Sequence, residues 1–152
     1  MAATAQVSRV IPARCAEVWE TLTSRDGMRA YMMGAEVDTD WSVGGPIRLQ
    51  GKVGGKPFED HGEVRSFLPE RRFSYTHVSS AAPESTRLVT IELTRCDGGT
   101  EVTVIQENLN GRVEPGDLEH RAQYEKTWAK MLEGLERPSP IRGGWKAPPA
   151  RP

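Results

Sequence analysis

The sequence predicts an α+β domain in which a curved antiparallel sheet wraps around a long C-terminal helix, and three observations predict it. Short segments of apolar and polar alternation follow one another with turn residues between them. Two short helical stretches come after the first of these segments, and a long amphipathic stretch, Asp117 to Glu136, closes the series. Strands joined by hairpin turns pair antiparallel, and the long helix then has to cover their dry face.

The opening strand is expected over Gln6 to Ile11 and ends at the breaker Pro12. From Ala13 the period changes, with Val18, Trp19 and Leu22 at helical spacing and Arg14, Glu17 and Glu20 on the polar face. Ser24 caps a second short helix over Arg25 to Met32, with Asp26 in its first turn and Gly34 as its stop. Strands follow over Glu36 to Thr39 and Pro46 to Val53, joined through Val43-Gly44-Gly45-Pro46, and Gly54-Gly55 makes the next hairpin turn. Phe58 to Phe67, Arg72 to Val78 and Arg87 to Arg95 are three further strands, each ending in Pro, Gly or Ser punctuation. Val89, Ile91 and Leu93 share one face, and Val102 with Val104 repeats that pattern. After the turn-rich Leu109 to Pro115, Tyr124, Trp128, Met131, Leu132 and Leu135 form the apolar stripe of the last helix.

A chain of 152 residues, 27% charged and 37% apolar, suits one globular domain over residues 6–136, preceded by a flexible N-terminus, 1–5. Residues 137–152 hold five prolines and four basic side chains with no acid, which predicts a disordered basic tail of charge +4. The formal net charge of −1 predicts no general attraction to nucleic acid or membrane. The start of the chain lacks a basic, apolar leader, so a cytoplasmic location is expected, with Cys15 and Cys96 as reduced thiols. No Gly-rich phosphate loop, His-Glu-x-x-His or Gly-x-Ser-x-Gly occurs, and no metal or cofactor is expected.

Several segments carry a family resemblance. They are Val10-Ile11-Pro12-Ala13 leading into Val18 to Thr23, Met28 to Met33 before Gly34-Ala35, and Val43 to Leu49. In this order they resemble the SRPBCC or START-like superfamily, with its Bet v 1-like fold. Gly62-Glu63-Val64, Pro69 to Thr76, Gly99 to Val104 and Trp128 to Leu135 resemble its branch named after activators of the heat-shock protein 90 ATPase. The resemblance covers about residues 6–136 and implies a helix-grip fold, commonly with a hydrophobic cavity. It does not imply chaperone work, since the eponymous protein has an additional N-terminal domain for which this chain is expected to leave no room. Two departures stand out. Thr127 precedes Trp128 where relatives often have Gly, and Tyr31-Met32-Met33 replaces a frequent second Trp, with methionines that make an adaptable wall.

A strongly twisted sheet curls, and a helix laid in the curl leaves a space between their apolar faces. Met32, Met33 and Trp41 belong near its mouth, and Tyr124 and Trp128, one turn apart, bring apolar rings with a polar handle. These five are the expected ligand contacts. Plain core packing competes with this for the Met and aromatic cluster, and anchoring of helix to sheet competes for Trp128. His61, Glu63, Tyr75 and His77 are the titratable candidates on central strands, where solvated strand positions compete with acid and base roles. The leading expectation is a non-enzymatic protein that binds an apolar small molecule. The alternatives are a cyclase, dehydratase or hydrolase using those four residues in the same cavity, and a chaperone-associated protein-interaction module using the outer face of the sheet, with a protein partner or homodimer as further partner calls.

Overall fold

A computed structural model of the chain describes residues 4–32, 34–53, 55–78, 86–109 and 117–136. Met33, residues 79–83 and 110–115 and those from 137 on lie outside the described residues. In chain order the elements are β1 (Thr4–Ile11), α1 (Cys15–Thr23), α2 (Arg25–Tyr31), β2 (Glu36–Asp38), β3 (Pro46–Val53), β4 (Lys56–Leu68), β5 (Arg72–Val78), β6 (Thr86–Cys96), β7 (Gly99–Asn108) and α3 (Asp117–Glu133), ending in a 3-10 turn, Gly134–Glu136. The strands form one antiparallel sheet in the order β1-β7-β6-β5-β4-β3-β2.

Boundaries differ from the expected ones for local reasons. β1 starts at Thr4, because Thr4 and Ala5 continue its ladder opposite Glu107 and Gln106 and Ala5 is buried. α1 starts at Cys15 and not Ala13, since the Ala13 amide donates to the Ile11 carbonyl at 2.7 Å and is spent in a turn. The first turn of α1 is then tied by Glu17 Oε1, which accepts from the Arg14 amide at 3.1 Å. Ser24 caps α2 as expected, its hydroxyl accepting from the Gly27 amide at 3.0 Å. Gly34, at φ +89, ends the segment in a conformation that favours glycine.

Alternation puts one set of side chains on the concave face. Phe73, Val89, Ile91, Val102 and Val104 are buried there under Val18, Trp19 and Leu22 of α1, Met28 and Tyr31 of α2, and Trp128, Leu132 and Leu135 at the end of the chain. In β4 the alternation breaks. His61 pairs with Val78 and Val64 with Tyr75, but beyond a bulge Ser66 pairs with Ser74 and Phe67 with Phe73. One extra residue on β4 reverses its parity, so that Asp60, Gly62 and Val64 face inward before the bulge and Phe67 faces inward after it.

Gly62 makes the close approach beside this irregularity possible. A methyl group there would lie 1.7 Å from the Thr76 carbonyl oxygen, so the strands must separate to admit it. Gly62→Ala is expected to lower stability by about 3 kcal/mol in urea unfolding, the upper part of the usual overpacking range. A change under about 0.5 kcal/mol would show that β4 and β5 do not approach this closely at Gly62.

Candidate functional site

The concave face is not uniformly apolar. Across the sheet, Phe73 stands opposite Ile91 and Ile91 opposite Val104, a dry row. Two residues further along the same strands come Tyr75, Val89 and Gln106, and two further again His77, Arg87 and Asn108. The enclosed face therefore runs from aromatic and aliphatic at one end to polar at the other.

α1 and α2 cover the apolar end, and between α3 and the polar end the sheet encloses a half-open cavity of about 460 Å³. Its walls are Met32 and Ala35 after α2, Leu49 and Phe58 on β3 and β4, and Gln123, Tyr124, Thr127, Trp128 and Met131 on α3. Its floor is Asp60, Tyr75, His77, Arg87 and Gln106. The volume falls in the range of sites for drug-sized ligands, and the mixture of apolar wall with a few convergent polar groups is what such sites carry.

Four hydrogen bonds organise the floor. His77 Nε2 lies 2.7 Å from Asp60 Oδ2. An ionised carboxylate only accepts, so Nε2 carries the proton and Nδ1 is left as the ring's second site. Trp128 Nε1 donates to Gln106 Oε1 at 2.8 Å, which joins α3 to β7 and turns the Gln106 amide nitrogen away from the indole. Arg87 donates to Asn108 Oδ1, which stands opposite it in the β6–β7 ladder, and to the Tyr124 hydroxyl at 3.2 Å. Its guanidinium carbon also sits 5.2 Å from the centre of the Tyr124 ring.

Met32, Tyr124 and Trp128 line this cavity, as do Tyr75 and His77. His61 and Glu63 lie on the outer face, both exposed, and Glu63 pairs with Arg65 at 2.9 Å. Trp41 is not among the lining residues. It stacks on Phe67 at 5.4 Å and meets Phe73 in a tilted contact at 4.8 Å, and its Nε1 donates to the Thr23 carbonyl at 2.9 Å, closing the apolar end. Thr127, one of the departures from the family pattern, adds its side chain directly to the cavity wall.

Asp60, Arg87 and Gln106 were missed by sequence reasoning, though a signal existed. Extending the dry parity of Val89, Ile91 and Leu93 backward reaches Arg87, and extending that of Val102 and Val104 forward reaches Gln106. A charged or amide residue in a dry register is the mark of the site. Among the described residues, no group of three His, Cys, Asp or Glu side chains is placed to hold a metal ion, and no helix is long and apolar enough to cross a membrane.

Residues 12–137 match the family model described as Activator of Hsp90 ATPase homolog 1-like protein. Among solved structures, ChR145 from Cytophaga hutchinsonii is 34% identical, with 88% of this chain and 90% of that one covered at a TM-score of 0.69. MLL2253 from Mesorhizobium loti is 23% identical over 88% and 93% of the two chains, with a TM-score of 0.71. DynU16, a protein in the dynemicin biosynthetic locus, is 21% identical with a TM-score of 0.73, and this chain spans 46% of its length. Among curated proteins none matches this chain.

Two buried tyrosines give the domain a pH response. Burial raises the Tyr75 hydroxyl above its ordinary value, and burial, with a smaller contribution from Tyr75, raises that of Tyr31, which donates to the Leu22 carbonyl at 2.9 Å. Below about pH 10 both are neutral in the folded and unfolded chain, so their stabilising effect is fully present. Above it the unfolded chain loses the protons while the folded one keeps them, and stability falls as pH rises, by about 1.4 kcal/mol per pH unit for each tyrosine. Urea unfolding between pH 8 and 12 is expected to show this fall beginning near pH 10, with a slope roughly halved in Tyr31→Phe or Tyr75→Phe. Equal slopes in all three proteins would remove the tyrosines as its cause.

Proposed function

The chain belongs to the Activator of Hsp90 ATPase homolog 1-like family, within the SRPBCC or START-like superfamily, and from that premise we propose that it holds an apolar small molecule, of lipid, polyketide-like or aromatic kind, between the sheet and α3. The helix-grip fold is in general that of a ligand-binding domain. The observation that carries the finer reading is the cavity itself. Phe58, Leu49, Met32, Met131 and Trp128 turn apolar surface toward it, while every polar group lies on the sheet side or at Gln123, Tyr124 and Thr127. An occupant with an apolar body and one polar end matches that division. Met32 and Met131 are unbranched and adaptable, which suits a wall that closes on ligands of different outline.

The distribution of apolar surface favours this occupant over a protein partner on the outer face. The large apolar side chains left exposed among the described residues are Val10, Val43, Leu68 and Leu109, single residues on separate segments. The outer face carries ion pairs instead, such as Arg48 with Glu59 and Arg65 with Glu63. The family's name refers to activation of a chaperone ATPase, and the described residues of this face form no apolar patch for that role.

The test is native mass spectrometry of the full chain purified from its own host, followed by denaturation and identification of what is released. A co-purifying apolar compound is expected. Trp128→Phe, which keeps an aromatic ring but loses the bond to Gln106, is expected to weaken its binding about tenfold. Unchanged affinity in both Trp128→Phe and Trp128→Ala would place the compound elsewhere. An empty protein with no thermal shift from a lipid and aromatic panel would turn the assignment toward a protein partner.

A further inference from the structure

Tyr75 and His77 are two residues apart on β5, so both side chains enter the cavity from one face of the sheet, about 7 Å apart along the strand. Each brings a polar atom with no use inside the fold. Tyr75 is 3% exposed, its ring lies parallel to that of Phe73 at 6.3 Å, and its hydroxyl makes no hydrogen bond to any described residue. His77 spends Nε2 on Asp60, and no described residue meets its Nδ1. Both residues line the cavity, so these atoms are available to an occupant. A carboxylate that fixes the tautomer of a histidine, leaving the second nitrogen as an acceptor toward a cavity, is the arrangement of an oriented general base. Arg87 stands directly opposite His77 in the β5–β6 ladder and lines the same floor.

We propose that the floor of the cavity is a proton-transfer site, in which His77, oriented by Asp60, removes a proton from the carbon beside a carbonyl group of an apolar ligand while the Tyr75 hydroxyl donates to the carbonyl oxygen. The C–H bond breaks and its electron pair becomes the carbon–carbon double bond of an enolate. The carbonyl π pair moves to oxygen, where it meets the Tyr75 hydroxyl and the positive field of Arg87. The proton goes to His77 Nδ1, and the imidazolium that forms is offset by Asp60. Return of a proton to the same carbon restores the ketone, so the exchange needs no oxidant or co-reactant. His77 and Tyr75 are the catalytic residues, and Asp60 is a positioning residue. Burial keeps the Tyr75 phenol protonated, hence a donor. Among the described residues the cavity lining holds no Ser, Cys or Lys. This inference rests on the cavity being a small-molecule site.

The full chain is incubated in D2O with three apolar ketones, 2-tetralone, 2-undecanone and benzoylacetone, with binding followed by saturation-transfer NMR and loss of the α-proton signal followed over time. At least one bound ketone is expected to exchange about tenfold or more faster than in buffer at equal pH. His77→Gln is expected to return the rate to that of buffer. Tyr75→Phe and Asp60→Asn are expected to lower it about tenfold while probe affinity stays within about twofold, a split that a merely structural role would not produce. Probes that bind yet exchange at the buffer rate overturn proton transfer and leave the cavity reading standing. Exchange that survives unchanged in a folded His77→Gln overturns it as well. Failure of all three to bind overturns proton transfer on ketones, while the cavity reading is decided separately by the native mass spectrometry and thermal-shift panel.

Discussion

The structure depends on one constraint: seven strands held in a single antiparallel register enclose only one of their two faces, and a polar group placed on that face calls for a partner. At the end covered by α1 and α2 the requirement is met by packing, with Phe73, Ile91, Val89 and Val104 each at 1% exposure or less. Toward α3 it is met by pairing. Trp128 needs an acceptor for its indole proton and finds Gln106, and Arg87 finds Asn108 and Tyr124. These bonds hold α3 at the rim of the polar end, where the side chains between helix and sheet do not fill the space.

The closed end is built to stay closed. Trp41 adopts φ +60, a conformation that costs a non-glycine residue about 1 kcal/mol or more. Its amide donates to Thr39 Oγ1 at 3.0 Å and Ser42 donates to Asp40 Oδ1 at 2.9 Å, which fixes the turn. The indole then reaches Phe67, Phe73 and the Thr23 carbonyl, and aromatic pairs of this kind contribute about 0.5–1.5 kcal/mol each beyond their burial. Trp19 completes the cluster at 5.2 Å from Phe67 and 5.5 Å from Phe73. An aromatic plug at one end leaves access to the interior from the other.

The order of elements was legible because it rests on local signals: Pro12, the Ser24 cap, the glycine turns and the change from period two to helical spacing. The membership of the α3 stripe was legible for the same reason, and it delivered Tyr124 and Trp128 to the cavity wall. The inward face of β4 was not. Counting back in twos from the apolar Phe67 turns Glu63 and His61 inward, and the bulge before Ser66 reverses that, bringing Asp60 inward in their place. Nothing in the residues around Arg65 announces the extra residue, which arises from how two long strands twist against each other. The partnership of Asp60 with His77 is likewise a product of register between β4 and β5, which no single strand encodes.

Charge on the two faces of the sheet has different physical standing. Arg48 with Glu59 and Arg72 with Glu92 are exposed pairs, each about half accessible and worth little to stability in water. Asp60 stands opposite Leu49 in the β3–β4 ladder, and its side chain is 11% exposed. A leucine or valine there would continue the wall without desolvating a carboxylate, and replacing a buried polar pair by packed apolar groups is often neutral or stabilising. The Tyr75 hydroxyl makes no hydrogen bond to a described residue, and its side chain lines the same cavity. Asp60, His77 and Tyr75, on two adjacent strands, thus bring three polar groups to one cavity in a register that is apolar further along the sheet.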